Sequence, residues 1–152
     1  MPKVAILLGS ESDKEVMQNC ASYLDWFNID YEMKVLSAHR NPHETVRFAK
    51  SAEKRGVDLI IAAAGMAAHL PGVVAAHTTL PVIGVPLPSS DLRGVDALYS
   101  IVQMPAGIPV ATVAIGEAGA KNAAVLAAEI LATSNTKMKK KLQEFRKHGS
   151  KI

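Results

Sequence analysis

The chain has 152 residues, of which 49% are apolar, 20% charged and only 5% aromatic, and its formal charge is +3. This length supports one substantial core and excludes a second domain, so residues 1–152 are expected to form a single catalytic domain. The single cysteine, Cys20, excludes an internal disulfide and a thiolate metal cage and fits a reducing cytoplasm.

The elements follow in chain order. Lys3–Leu8 is an apolar run too short for the apolar region of a signal peptide, and it predicts a first strand. Asp13–Asn28 places Val16, Cys20, Tyr23, Leu24 and Phe27 at helical spacing and predicts a helix. Ile29–Leu36 is a second strand and Pro42–Arg55 a second helix, with proline suited to the first turn. Val57–Ala64 is a third strand. The longest run of low polarity, Leu59 to Ala68, is far below membrane-spanning length, so no membrane contact and a cytoplasmic location are expected. A short helix over Leu70–Thr78, a strand over Pro81–Val85, a helix over Gly94–Val102, a strand over Val110–Ile115 and an Ala-rich helix over Ala118–Ala132 complete the alternation. The first, third, fourth and fifth strands read as buried on both faces.

Alternation of this kind predicts a flavodoxin-like, doubly wound parallel sheet in a three-layer αβα arrangement, strand order 2-1-3-4-5, with right-handed crossovers. The remaining segment, about 136–148, is a basic helix. Between Lys137 and Ile152 seven Lys or Arg face one acid, Glu144, leaving a body of net charge −3. Without aromatic stacking residues this is a solvated helix with Leu142 and Phe145 packed on a neighbour, and no nucleic-acid partner is expected.

Ligands of this fold bind beyond the carboxyl ends of the strands, where strand order reverses. Three loops meet there. Gly9-Ser10-Glu11-Ser12-Asp13 precedes a helix N-terminus, where backbone N–H groups and the helix dipole favour an anion. Ser10 and Ser12 offer hydroxyl donors and Asp13 an acceptor for a sugar hydroxyl, although Ser12 or Asp13 would equally serve as a cap. The loop is neither Gly-x-Gly-x-x-Gly nor a phosphate loop ending in Gly-Lys-Ser/Thr, so neither NAD nor ATP is indicated. Ser37-Ala38-His39-Arg40 sets an arginine fork for phosphate or carboxylate beside an imidazole, the side chain type that exchanges protons near neutral pH. Gly65-Met66-Ala67-Ala68-His69-Leu70-Pro71-Gly72 is small and apolar, suited to wrapping a flat ring closely. His43, His77 and His148 read as solvated. No His, Cys or carboxylate cluster has metal-ligand spacing, so no metal is expected. A phospho-acceptor receiver lacks its acids here, and an FMN carrier lacks aromatic residues in these loops.

The three loops, with Ala64-Gly65, Gly84-Val85-Pro86 and Ser100-Ile101-Val102-Gln103-Met104-Pro105 leading into Ala114-Ile115-Gly116, closely resemble the small-subunit family of phosphoribosylaminoimidazole carboxylases and 5-(carboxyamino)imidazole ribonucleotide mutases of purine biosynthesis. The resemblance covers nearly the whole chain. It implies that Ser10, Asp13 and Arg40 hold the ribose phosphate, with Ser12 and Ser37 nearby, that Gly65, Ala67, His69 and Leu70 line the substrate site, and that His39 is the general acid and base. It further implies no cofactor, a homo-octamer with sites at subunit contacts, a C-terminal helix reaching onto a neighbouring subunit, and a transient contact with the synthetase that makes the carbamate. Arg40 and His69 match the mutase branch; the alternative is the carbon-dioxide-dependent carboxylase of the same family. Two departures are Met66, where many members have Gly, and Asn41, where Thr is common.

Overall fold

The computed structural model describes all residues, 1–152. Its strands are β1 (Lys3–Leu8), β2 (Asp30–Val35), β3 (Leu59–Gly65), β4 (Val82–Leu87) and β5 (Ala111–Thr112), joined in one sheet of order β2-β1-β3-β4-β5 with every pair parallel. The helices are α1 (Lys14–Phe27), α2 (Pro42–Ser51), α3 (Leu70–Ala76), α4 (Val95–Val102), α5 (Glu117–Ala132) and α6 (Thr136–Lys147). No helix is long and apolar enough to cross a membrane.

The alternation of side chains along a strand divides the core into two layers. Val4, Ile6 and Leu8 of β1, with Leu59, Ile61 and Ala63 of β3, face α1 and α5. Ala5 and Leu7, with Ile60, Ala62 and Ala64, face α2, α3 and α4. Strands covered on both sides must be apolar throughout, which is why β1, β3 and β4 carry almost no polar residue. At Gly84 an added Cβ would run into Ile101 and Val110, so the missing side chain lets α4 and the approach to β5 close onto β4.

The structure corrects three expectations. β5 is only two residues long and lies at the edge of the sheet, with Ala111 exposed and Thr112 only half-buried, so it is not covered on both faces. β4 runs through Pro86 to Leu87 instead of stopping at Val85. A strand residue points its N and O to the same side, and Pro86 O accepts from the Gly116 N–H at 2.9 Å. The absent proline N–H therefore falls beyond β5, where no ladder bond is lost. The second helix ends at Ser51 and is followed by a separate 3-10 turn, Glu53–Arg55, closed by Gly56 at φ +77°.

The basic C-terminal helix lies on its own chain. The Asn135 side chain caps α6 by accepting from the Met138 N–H at 3.1 Å, and Phe145, 1% exposed, packs within 6.0 Å of the Tyr23, Trp26 and Phe27 rings. Lys141 stands over the Trp26 ring at 4.2 Å and Arg146 bonds Glu129 at 2.9 Å. Phe145 is thus buried against α1 of the same chain. Replacing it should cost about 3–5 kcal/mol, the usual cost of emptying a buried aromatic site. In Phe145→Ala, urea unfolding should shift by that amount and the lysines of α6 should become rapid trypsin sites.

Candidate functional site

The parallel sheet delivers the loops after β1, β2 and β3 to one edge, and a cleft of about 870 Å³ opens between them. Ser10, Ser12, Asp13, Ser37, His39, Arg40, Gly65 and Ala67 line it. A second cavity of about 70 Å³ lies alongside, walled by Ala38, Ala64 and Ala68 and reached by His69 and Leu70. Gly9, Ser37, His39, Gly65 and Ala67 border both spaces. All ten residues singled out from the sequence therefore border one cavity or the other, with Leu70 buried in the core layer below and exposed only to the small one.

Each loop is braced by its own hydrogen bonds. After β1, the Ser10 N–H donates to Asp13 Oδ2 at 3.0 Å, and the Ser10 and Ser12 hydroxyls lie 3.0 Å apart. Asp13 braces the loop through Oδ2 and borders the cleft; it does not cap α1 through its side chain. After β2, the Asn41 N–H donates to Ser37 O at 2.8 Å and the Arg40 N–H to Ser37 Oγ at 3.0 Å, while Thr45 Oγ1 donates to Asn41 O at 2.9 Å. This knot of bonds holds the turn that presents His39 and Arg40. Arg40 is exposed and takes no part in any ion pair of the chain, leaving its guanidinium free for an anion.

The third loop is held by Ala68 N–H to Met66 O at 2.9 Å and His69 N–H to Ala67 O at 2.7 Å. It places His69 Nδ1 2.6 Å from His39 Nε2, with the two rings edge to face at 88° and centroids 4.8 Å apart. One nitrogen of that pair must carry the hydrogen and the other the lone pair. The two imidazoles consequently cannot both present N–H groups to each other, and each fixes the ring plane of its partner.

Sequence reasoning missed Ser89 and the role of Met66. Ser89, on the loop after β4, borders the cleft, and its side chain occupies the space a Cβ on Gly65 would need. The rule that picked the first three loops applies equally to the fourth, since β4 adjoins β3. Met66 has φ +54°, a left-handed conformation that costs a residue with a Cβ about 1 kcal/mol and that glycine would adopt without that cost. Cys20 is no part of this chemistry: burial pushes its thiol up to about 12, which removes the thiolate.

A doubly wound sheet with an imidazole pair and a free arginine at its carboxyl edge defines a class, the flavodoxin-like α/β proteins that receive a small ligand at the switch point of strand order. Within that class the chain belongs to the AIR carboxylase family, whose model matches residues 3–151. It is 58% identical over 146 residues to the N5-carboxyaminoimidazole ribonucleotide mutase of Pyrococcus abyssi, covering 96% of this chain and 83% of that protein. It is 54% identical over 145 residues to the enzyme of the same name from Escherichia coli K12, covering 95% and 86%. The crystal structure of Treponema denticola PurE superposes with a TM-score of 0.87 at 33% identity, over 99% of this chain and 92% of that one.

Burial raises the pKa of Asp13 above the ordinary 3.8, outweighing the opposing effect of the Ser10 N–H. A folded-state value above the unfolded one means that stability from this group is complete at low pH and is lost as pH rises through the folded pKa. Asp13→Asn should therefore melt at a higher temperature than the wild type at pH 7. The gain should vanish as the pH is lowered toward 3.8, and calorimetry across that range checks it.

Proposed function

We propose that this protein is a 5-(carboxyamino)imidazole ribonucleotide mutase of purine biosynthesis, which moves a carboxyl group from the exocyclic nitrogen to ring carbon 4 and yields 4-carboxy-5-aminoimidazole ribonucleotide. The observation that carries the reading is the place of His39, in the wall between an open polar cleft and a small cavity with Ala38, Ala64 and Ala68 in its wall. The names of its relatives, N5-carboxyaminoimidazole ribonucleotide mutase at 54–58% identity, support the mutase over the carboxylase branch.

Binding begins with charge. Arg40, Ser10 and Ser12 receive the ribose phosphate, and Asp13 accepts from a ribose hydroxyl in addition to the Ser10 N–H. Ser37 acts mainly through its bond to the Arg40 N–H, which fixes the direction of the arginine. The imidazole ring of the substrate then lies between His39 and the Gly65–Ala67 backbone, where small residues allow close approach.

The chemistry needs one proton, lent and returned. Protonated His39 gives its proton to the exocyclic nitrogen as the N–C bond to the carboxylate breaks, releasing carbon dioxide and leaving the neutral aminoimidazole. Carbon 4, made nucleophilic by the amino group, attacks the carbon dioxide, and His39 takes the ring proton as aromaticity returns. Proton and electrons balance, and no redox partner is required. General acid–base transfer of this kind contributes about 10²–10⁴-fold. His69 positions the His39 ring through the 2.6 Å bond. The cavity of about 70 Å³, well above the ~10–15 Å³ that admits one water-sized molecule, is the space for carbon dioxide between the two steps. Holding it next to carbon 4 replaces a bimolecular encounter by an effective concentration of up to about 10⁵–10⁸ M.

We place this activity in a cytoplasmic homo-octamer. Leu92, in the turn before α4, and Val95, Tyr99 and Val102 along it are 63%, 43%, 65% and 43% exposed and together form an apolar face beside the short edge strand β5, a face that a second copy would cover. Tyr99→Glu should lower the mass measured by light scattering.

Feeding each substrate separately tests the reaction itself. The carbamate should be converted without added bicarbonate; turnover of aminoimidazole ribonucleotide with bicarbonate, and none of the carbamate, would overturn the mutase in favour of the carboxylase. His39→Asn should bind the ribonucleotide with near wild-type affinity and lose turnover by about 10²-fold or more. Arg40→Ala should raise KM first, through loss of charge-assisted bonds.

A further inference from the structure

Met66 combines two features that glycine at the same position would avoid. Its backbone sits at φ +54°, in the left-handed region that disfavours side chains, and its side chain is an apolar group left 62% exposed. The loop bonds Ala68 N–H to Met66 O and His69 N–H to Ala67 O hold that conformation in place, so the exposure is imposed by the fold. The side chain borders the cleft together with His39, Arg40 and Ser89. Beneath it the cleft is floored by Gly65 and Ala67, and elsewhere in the cleft only Val35 is apolar. Polar groups therefore grip one end of a ligand, while Met66 is the one large, exposed apolar side chain at the cleft, beside the small Ala67 and the half-buried Val35. A strained residue retained at a ligand cleft points to a gain made in the bound state.

We propose that Met66 is a substrate-covering residue. Its thioether lies against the outer face of the bound imidazole ring and closes the path by which released carbon dioxide would leave the small cavity for solvent. Methionine suits the task because its unbranched chain adapts to the shape of the ring and its polarizable sulfur makes favourable contacts with aromatic groups. The inference rests on the mutase reading of the same site.

The test compares the wild type with Met66→Gly and Met66→Leu, using purified carbamate substrate in buffer containing ¹³C-bicarbonate. Met66→Gly should melt at or above the wild-type temperature, since the backbone strain is relieved, yet show a KM about 10-fold higher, the loss expected for one ring-covering apolar contact. The fraction of product carrying solvent ¹³C should rise with it. Met66→Leu, which restores an apolar cover, should bring both KM and label incorporation back to within about 3-fold of the wild type. Wild-type KM and labelling in Met66→Gly would overturn the proposal. So would a smaller oligomer in Met66→Gly, because the side chain would then be serving a subunit contact. Wild-type protein that does not convert the carbamate at all would sink the mutase reading and this proposal together, whereas normal wild-type turnover with an unaltered glycine variant sinks this proposal alone.

Discussion

Everything at the site depends on the parallel pairing of β1 with both β2 and β3. Val4, for example, stands opposite Tyr31 on one side and Leu59 on the other. Because the strands are parallel, all three end at the same edge, and because β1 lies between the other two, the loops that follow them must converge. The cleft is the consequence: helices leave the sheet toward opposite faces from adjacent strands, and the gap between them is not filled by either layer of the core.

Small residues set how narrow that gap is. Ala62, Ala63, Ala64 and Gly65 end β3 without bulk, Gly9 approaches Ala64 so closely that its own Cβ would stand 3.3 Å from that methyl, and Ser89 fills the space over Gly65. Larger side chains here would add core area but would push the three loops apart, and the 2.6 Å contact between His39 and His69 would be lost. The composition of the chain, rich in alanine and poor in aromatic residues, thus has a mechanical meaning. Its few large rings are gathered on the far side, where Tyr23, Trp26, Phe27 and Phe145 fasten α6 to α1.

The polar groups of the cleft are arranged in two tiers. Asp13, Ser37, Asn41 and Thr45 spend hydrogen bonds on holding loops, while Arg40, His39 and the hydroxyls of Ser10 and Ser12 remain open to a ligand. Burial accounts for two of the four: Asp13 and Thr45 are 6% and 0% exposed, and buried polar groups must find partners within the protein, whereas Ser37 and Asn41 are bonded in the loop while half-buried and exposed. The small cavity next to His39 is of mixed character, with Ala38, Ala64 and Ala68 in its wall beside Ser37 and His69.

Apolar runs at strand length, helices at 3.6-residue spacing and the strict alternation of the two determined by themselves the class of fold, because a parallel sheet needs crossovers and crossovers have one hand; the order 2-1-3-4-5, one of the two common doubly wound orders, is fixed by the pairing of the strands. The motifs following the first three strands were equally legible, since their glycines, serines and basic residues mark loops where a ligand meets backbone. What only the tertiary structure decided depends on distances across the sheet. The partnership of His39 with His69, thirty residues apart, the entry of Ser89 beside Gly65, and the return of Phe145 onto α1 are set by the packing of elements that share no local pattern. The shortness of β5 at the sheet edge and the left-handed backbone of Met66 belong to the same group, the second held by hydrogen bonds that exist only once the loop is closed.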